Sequence, residues 1–255
     1  MIIDTHVHCG FFYFPIRQLD ADGMLAVMDR FGIDISIISN IDGLFYDFND
    51  CNDAIKLMLA KAPDRLKGYV VCNPNYLEKS LAEIKKYARH PDFVGVKLHA
   101  SWHNRPIDGS EFAPIFELCE ELMLPVLIHS YVVDDTGDQN SCPERIANVA
   151  RRHKNPLITA HMGGNARRCF KALRNFEHVS VDISSGRERA SQLYVWRCGR
   201  VDEAVIEMGA KRVIFGSDFP LLDVSICMGM MEDARLDDKT RDLIMSGNAQ
   251  RIFGL

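Results

Sequence analysis

Met1-Ile2-Ile3-Asp4-Thr5-His6-Val7-His8 opens the chain, and its reading decides the rest. Ile2, Ile3 and Val7 suit a buried strand, in which residues two apart share a face. On that period Asp4, His6 and His8 project together, opposite Ile3, Thr5 and Val7. Two imidazoles so placed can grip one metal ion through neutral nitrogens. Asp4 is then placed to take a proton from a ligand histidine. The octapeptide alone reads equally well as a strand end with two partly exposed histidines. A metal needs three or four ligands, so the others must come from elsewhere.

Outward from this strand, short apolar runs alternate with amphipathic segments. The pattern predicts further strands at residues 35–40, 66–72, 93–99, 124–129, 156–161, 178–184 and 212–217. Helices are predicted near 20–31, 52–62, 77–89, 112–122, 143–152, 166–175 and 201–208, with two more near 224–234 and 239–245. β-branched runs joined by amphipathic crossovers mean a parallel sheet covered on both faces. Eight such units in 255 residues predict an α/β fold closed as a (β/α)₈ TIM barrel. No linker, repeat or low-complexity stretch divides the chain, so residues 1–255 read as one domain.

Charged residues are 25% and hydrophobic residues 47% of the chain, as in soluble globular proteins. The net charge of −5 and the lack of a basic run argue against nucleic acid or an anionic membrane as partner. No apolar stretch is long enough to span a bilayer. Cleavage of a leader would remove His6, so a cytoplasmic location is expected. The eight cysteines form no C-x-x-C pair and read as reduced, mostly buried thiols, with Cys9 alone beside the histidines.

In such a barrel the active site lies at the C-terminal ends of the strands. Five of the nine histidines fall there: His6, His8, His99, His129 and His161. Lys97 ends the fourth strand with His99, and Asp218 follows the eighth. Each histidine taken singly suits a rim or core position; a barrel mouth would bring the set to one point. His90, His103, His153 and His178 read as solvent-facing or capping residues.

The ordered segments Asp4–His8, Gly95–His99, Val126–Ser130, Thr159–Gly164, Phe215–Pro220 and Gly247–Phe253 resemble the amidohydrolase superfamily. The similarity is greatest to the amidohydrolase-related branch that includes aminocarboxymuconate-semialdehyde decarboxylase and many metal-dependent hydrolases. This resemblance implies a metal-dependent hydrolase type of barrel. His6, His8, His129 and Asp218 would hold one divalent metal, with zinc preferred, and His161 would be catalytic beside the bound water. Zinc lowers the pKa of its water from about 15.7 to about 7. Asp218 could shuttle the proton to a leaving group. In binuclear members of the superfamily a strand-four lysine is carboxylated and bridges two metals. Lys97 and His161 therefore also allow a two-metal site, and Lys97 alone reads as an ion pair to Asp4 or Asp182. His99 is a candidate hydrogen-bond partner of the substrate.

The loops would choose the substrate. Phe11-Phe12-Tyr13-Phe14-Pro15 is aromatic and suits a pocket wall or a hydrophobic plug. Trp102, His103 and Arg105 follow strand four, and residues 134–138 form an acidic loop that suits a lid or a solvated turn. Arg187, preferred over Arg189, is a candidate clamp for a substrate carboxylate. Met162-Gly163-Gly164 suits an anion at a helix start, or merely a turn.

The first expectation is hydrolysis of a small-molecule amide, cyclic amide or lactone. The alternative is metal-dependent, non-oxidative decarboxylation of an unsaturated or aromatic acid. Relatives of that second kind are usually longer, with loop insertions that this compact chain lacks, which favours hydrolysis. A non-catalytic binding barrel is a third reading, opposed by the intact ligand set. The partner is a small molecule, and homo-oligomerisation is compatible with the fold. Metal content per chain checks this reading: about one zinc, lost in His6→Ala, is expected, and about two would recast Lys97 as a carboxylated bridge.

Overall fold

The computed structural model describes residues 1–12, 19–45, 47–132, 139–184 and 200–255. In its first half β1 (Ile3–Cys9), β2 (Ile35–Asn40), β3 (Leu66–Val71) and β4 (Phe93–Leu98) alternate with α1 (Ala21–Phe31), α2 (Phe48–Leu59) and α3 (Leu77–Tyr87). The short α4 (Ala100–His103) and α5 (Ala113–Glu121) lead to β5 (Val126–Ile128). Then come α6 (Pro143–Arg152), β6 (Leu157–Thr159), α7 (Ala166–Leu173), β7 (Val179–Asp182), α8 (Arg200–Met208) and β8 (Val213–Ile214). Helices α9 (Val224–Asp233), α10 (Asp238–Asp242) and α11 (Asn248–Phe253) follow.

The eight strands pair in parallel in sequence order, from β1 to β8. Backbone bonds close the ring: Thr5 N donates to Phe215 O at 3.1 Å, Asp218 N to His6 O at 2.8 Å, and His8 N to Phe219 O at 2.7 Å. The eight-stranded barrel read from the sequence is therefore present. Strand β8 is short because Phe215 N turns away to Ile244 O. Inside the barrel, Ile3, Ile37, Leu127, Ile158 and Ile214 form a dry plug with Tyr69, sealed by Phe253 of α11. Each such aliphatic side chain contributes roughly 1.5–3 kcal/mol by burial. A larger apolar layer lies between the strands and the helices. Helices start where the chain supplies side-chain acceptors: Asp20 accepts from Gly23 N and Asn165 from Arg168 N. Among the described residues no helix is long and apolar enough to cross a membrane.

Two departures from the expected strands shape the site. Pairing of β1 with β2 slips between Asp4 and Val7. The period of two therefore does not run through: Ile3 joins the interior plug while Val7 joins the outer layer. Beyond β6, residues 161 to 164 all carry positive φ, from 48° to 72°. They fold into a tight left-handed turn where a strand end was expected. Gly164 is required there, since a Cβ would stand 2.5 Å from Val132 N. At Gly32, also left-handed, a Cβ would meet nothing within 4 Å. Gly164→Ala is thus expected to destabilise well beyond Gly32→Ala, whose cost is the backbone strain alone, roughly 1–3 kcal/mol. Thermal unfolding of the two variants measures the difference.

Candidate active site

The β1 slip delivers both histidines to the C-terminal mouth. His6 Nε2 and His8 Nε2 lie 3.2 Å apart. Asp218 Oδ1 lies 3.5 Å from the first and 3.2 Å from the second. His161 joins them: ligand atoms of His6, His161 and Asp218 lie within 4.8 Å of one another. His129 reaches the group through His161, with Nδ1 and Nε2 3.2 Å apart. His129 is carried just past β5, where its N–H still donates to Leu98 O. Asp218 and His161 both sit at positive φ, 63° and 58°. Such strain persists only where surrounding bonds over-determine the backbone.

Burial dominates the electrostatics. It drives His6 well below the ordinary histidine range, helped by the nearby Lys97 charge, and lowers His8, His99 and His129. These rings are neutral and offer lone pairs. Burial works to raise Asp218, but His161, His8 and His6 outweigh it and hold the carboxyl below the usual range. Two imidazole nitrogens and a carboxylate oxygen so close together make a donor set suited to a divalent cation.

Lys97 is fully buried, with Nζ 2.7 Å from His6 Nε2. Burial lowers it to about 8, with Asp218 and Asp182 pulling the other way. Its direct partner is thus a histidine and not the Asp4 or Asp182 carboxylate of the ion-pair reading. Asp4 also departs from expectation. It accepts from His6 N at 3.2 Å, Ser217 N at 2.9 Å and Ser217 Oγ at 2.6 Å. The carboxylate that holds the His6 ring is Asp182, 2.9 Å from Nδ1. Ser184 and Ser39 also touch these rings, at His6 Nδ1 (3.1 Å) and His8 Nδ1 (2.8 Å). Sequence reasoning missed all three roles. The one available signal was an acidic residue, Asp182, two positions before the expected end of strand seven.

His99 is not free for a substrate on its faces. Its ring lies between Trp102 and His129, with centroids 3.8 Å away on each side and tilts of 7° and 12°. Phe45 continues the stack at 4.1 Å from Trp102, and Phe12 flanks it at 5.4 Å. An aromatic wall thus runs from His129 outward. Arg105 is tied to Asn75 at 2.9 Å. Cys9 is buried and its thiol is pushed up to about 12, so it stays protonated. Tyr13–Pro15, the 134–138 loop, Arg187 and Arg189 lie outside the described residues.

Eight parallel strands closed in sequence order, with histidines and an aspartate gathered at their C-terminal ends, make an amidohydrolase-type barrel. The family model described as "Amidohydrolase" matches residues 3–255, and the chain belongs to that family. A relative, 2-amino-3-carboxymuconate-6-semialdehyde decarboxylase of Dictyostelium discoideum, is 22% identical over 276 residues, covering 92% of this chain and 77% of its own length. The fold matches 5-carboxyvanillate decarboxylase from Sphingomonas paucimobilis with a TM-score of 0.80 at 17% identity, over 100% of this chain and 99% of that one. It also matches a dihydroxybenzoic acid decarboxylase from Polaromonas sp. JS666, with bound manganese and 2-nitroresorcinol. That TM-score is 0.76 at 17% identity, over 100% and 97% of the two chains.

These matches overturn hydrolysis of an amide or lactone as the first reading. They are decarboxylases, and the alternative reading is the one they favour. The Dictyostelium relative is the longer protein, its alignment spanning 276 positions against 92% of this chain, so the difference in length is real but does not select hydrolysis.

Two histidines assigned to solvent or caps are instead buried, His153, which pairs with Glu120, and His103. His103 is 5% exposed, and among the described residues neither ring nitrogen has a good hydrogen-bond partner. Burial pushes it down to about 4, against a smaller pull from the Leu44 backbone. Unfolded, it titrates near 6.5. Between those values the unfolded chain binds the extra proton, so the His103 contribution is full above 6.5 and is lost as pH falls toward 4. Urea titrations of wild type and His103→Phe at pH 7 and pH 4.5 are expected to show a shallower acid loss in the variant, by on the order of 2 kcal/mol.

Proposed function

We propose that the chain is a metal-dependent, non-oxidative decarboxylase of an unsaturated or aromatic carboxylic acid. The observation that carries this is the convergence of His6, His8, His161 and Asp218 at the mouth of a barrel whose relatives are decarboxylases. His6, His8 and Asp218 would hold a single divalent cation, because their donor atoms lie within 3.5 Å of one another, and His129, which touches His161, is the candidate further ligand. When bound, the cation would supply Lewis-acid charge that draws electrons from the bond to the carboxylate. Zinc suits the imidazoles, and the manganese of the Polaromonas enzyme makes that ion the first to compare.

The chain's own groups divide the remaining work. The C–C bond to the carboxylate breaks and its electron pair stays on the substrate carbon. A proton must reach that carbon as CO₂ leaves, so carboxylate and proton in balance the protonated product and CO₂ out. His161 can deliver it from Nε2, since Nδ1 faces Ser184 Oγ at 2.9 Å. Asp218 is anionic, sits against His8 and fixes its ring. Lys97 places positive charge at the mouth, where an anionic substrate gains from it. The wall of Trp102, Phe45 and Phe12 suits a planar, unsaturated ligand. Arg187 remains a candidate carboxylate clamp.

Protein loaded with zinc or manganese is to be incubated with 5-carboxyvanillate, dihydroxybenzoates and related unsaturated acids while CO₂ is measured. One equivalent of CO₂ per product is expected, abolished by a chelator and restored by the ion. His161→Asn and Asp218→Asn should each lower kcat by about 10²–10⁴-fold. Metal-loaded protein that releases no CO₂ from any such acid would sink the proposal.

A further inference from the structure

Asp182 ends β7, is fully buried, and was assigned no role beyond a candidate ion pair with Lys97. Its Oδ1 accepts from His161 N at 2.8 Å, Ser184 N at 3.1 Å and Ser184 Oγ at 2.5 Å. Its Oδ2 accepts from His6 Nδ1 at 2.9 Å. Ser184 Oγ in turn lies 3.1 Å from His6 Nδ1 and 2.9 Å from His161 Nδ1. The Ser184 carbonyl lies 3.2 Å from His161 Nδ1.

A proton count settles what these contacts mean. A serine hydroxyl carries one hydrogen, and its shortest contact, to Asp182, takes it. Oγ is then an acceptor toward both rings. Among the described residues His6 Nδ1 faces only acceptors, Asp182 Oδ2 and Ser184 Oγ. His161 Nδ1 likewise faces only Ser184 Oγ and the Ser184 carbonyl among them. Both rings must therefore carry their hydrogen on Nδ1, which leaves both Nε2 lone pairs at the mouth.

We infer that Asp182, acting with Ser184, is a positioning residue that sets the tautomers of His6 and His161 together. The inference rests on the reading of His6 as a metal ligand and His161 as a proton carrier, and extends it by one residue pair. It explains how a neutral His6 presents a nitrogen lone pair to a cation. It also explains why a proton gained by His161 sits on Nε2, the atom that lies 3.2 Å from His129 Nδ1.

The test separates Asp182's two oxygens. In Asp182→Asn the carboxamide oxygen stays on the Oδ1 side, because two backbone N–H groups point there. The amide NH₂ then faces His6 Nδ1, which has to become an acceptor. Long-range ¹H–¹⁵N spectra of the full chain with labelled histidine, before metal is added, read the tautomers directly. Wild type is expected to show Nδ1–H at both rings. Asp182→Asn is expected to flip His6 alone to Nε2–H and to weaken Mn²⁺ binding, measured by calorimetry, about ten- to a hundredfold. Ser184→Ala is expected to leave His6 as Nδ1–H and Mn²⁺ affinity within about twofold, since Asp182 remains.

Nε2–H at His6 or His161 in wild type would overturn the inference, and needs no variant to fold. So would an Asp182→Asn protein with lower melting temperature but unchanged His6 tautomer, which is what a merely structural role gives. A flipped His6 with unchanged Mn²⁺ affinity would support the tautomer assignment and contradict His6 as a ligand. Neither readout depends on turnover, so failure to find a decarboxylated substrate leaves the inference standing.

Discussion

A single buried carboxylate joins the first strand to the last. Asp4 accepts from the backbone of His6 and from both the N–H and hydroxyl of Ser217. In a barrel the first and last strands are the only pair not joined by a short crossover, and their register must be set from the far end of the chain. Asp4 and the three backbone bonds around it do this. Asp218 follows Ser217 directly, so the same clasp that closes the barrel brings an anion against His6 and His8. Burial raises Asp4 to about 7 even though the Ser217 and His6 donors pull it down. Gly216 belongs to the clasp as well, since a Cβ there would stand 2.9 Å from the Cβ of His6.

The site is one in which burial suppresses charge on histidines and strain is held by hydrogen bonds. His161 and Asp218 occupy left-handed backbone that costs roughly 1–3 kcal/mol each. A bond to a buried anion contributes about 1.5–3 kcal/mol and one to a neutral carbonyl about 0.5–1.5 kcal/mol, comparable to that cost. His161 N donates to Asp182 and Asp218 N to the His6 carbonyl. Strain and its compensation both lie in the two strand ends where chemistry is proposed. The stacked wall of His129, His99, Trp102 and Phe45 continues this rigid surface toward solvent.

Much of this was legible in the sequence because it depends on side-chain type at strand ends. Histidines at positions 6, 8, 129 and 161 and Asp218 stand where a barrel mouth would gather them, whatever the details of pairing. The slip between Asp4 and Val7 was not legible, because it depends on how β1 meets β2. With it went the partner of His6: a strict alternation pointed to Asp4, and a long-range contact chose Asp182. His161 was read as a strand residue because Pro156–His161 is apolar, while the glycines behind it impose a left-handed turn. The choice between hydrolysis and decarboxylation was illegible for a different reason. One set of metal ligands serves both reactions, and the loops that select the substrate carry no period to read.

Anomalous diffraction at the manganese edge, on crystals soaked in Mn²⁺, addresses the proposed centre most directly. One peak within bonding reach of His6 Nε2, His8 Nε2 and Asp218 Oδ1 is expected. Saturating Mn²⁺ with no peak among those three atoms, in crystals of protein shown to be folded, would contradict the metal site on which the proposed chemistry rests.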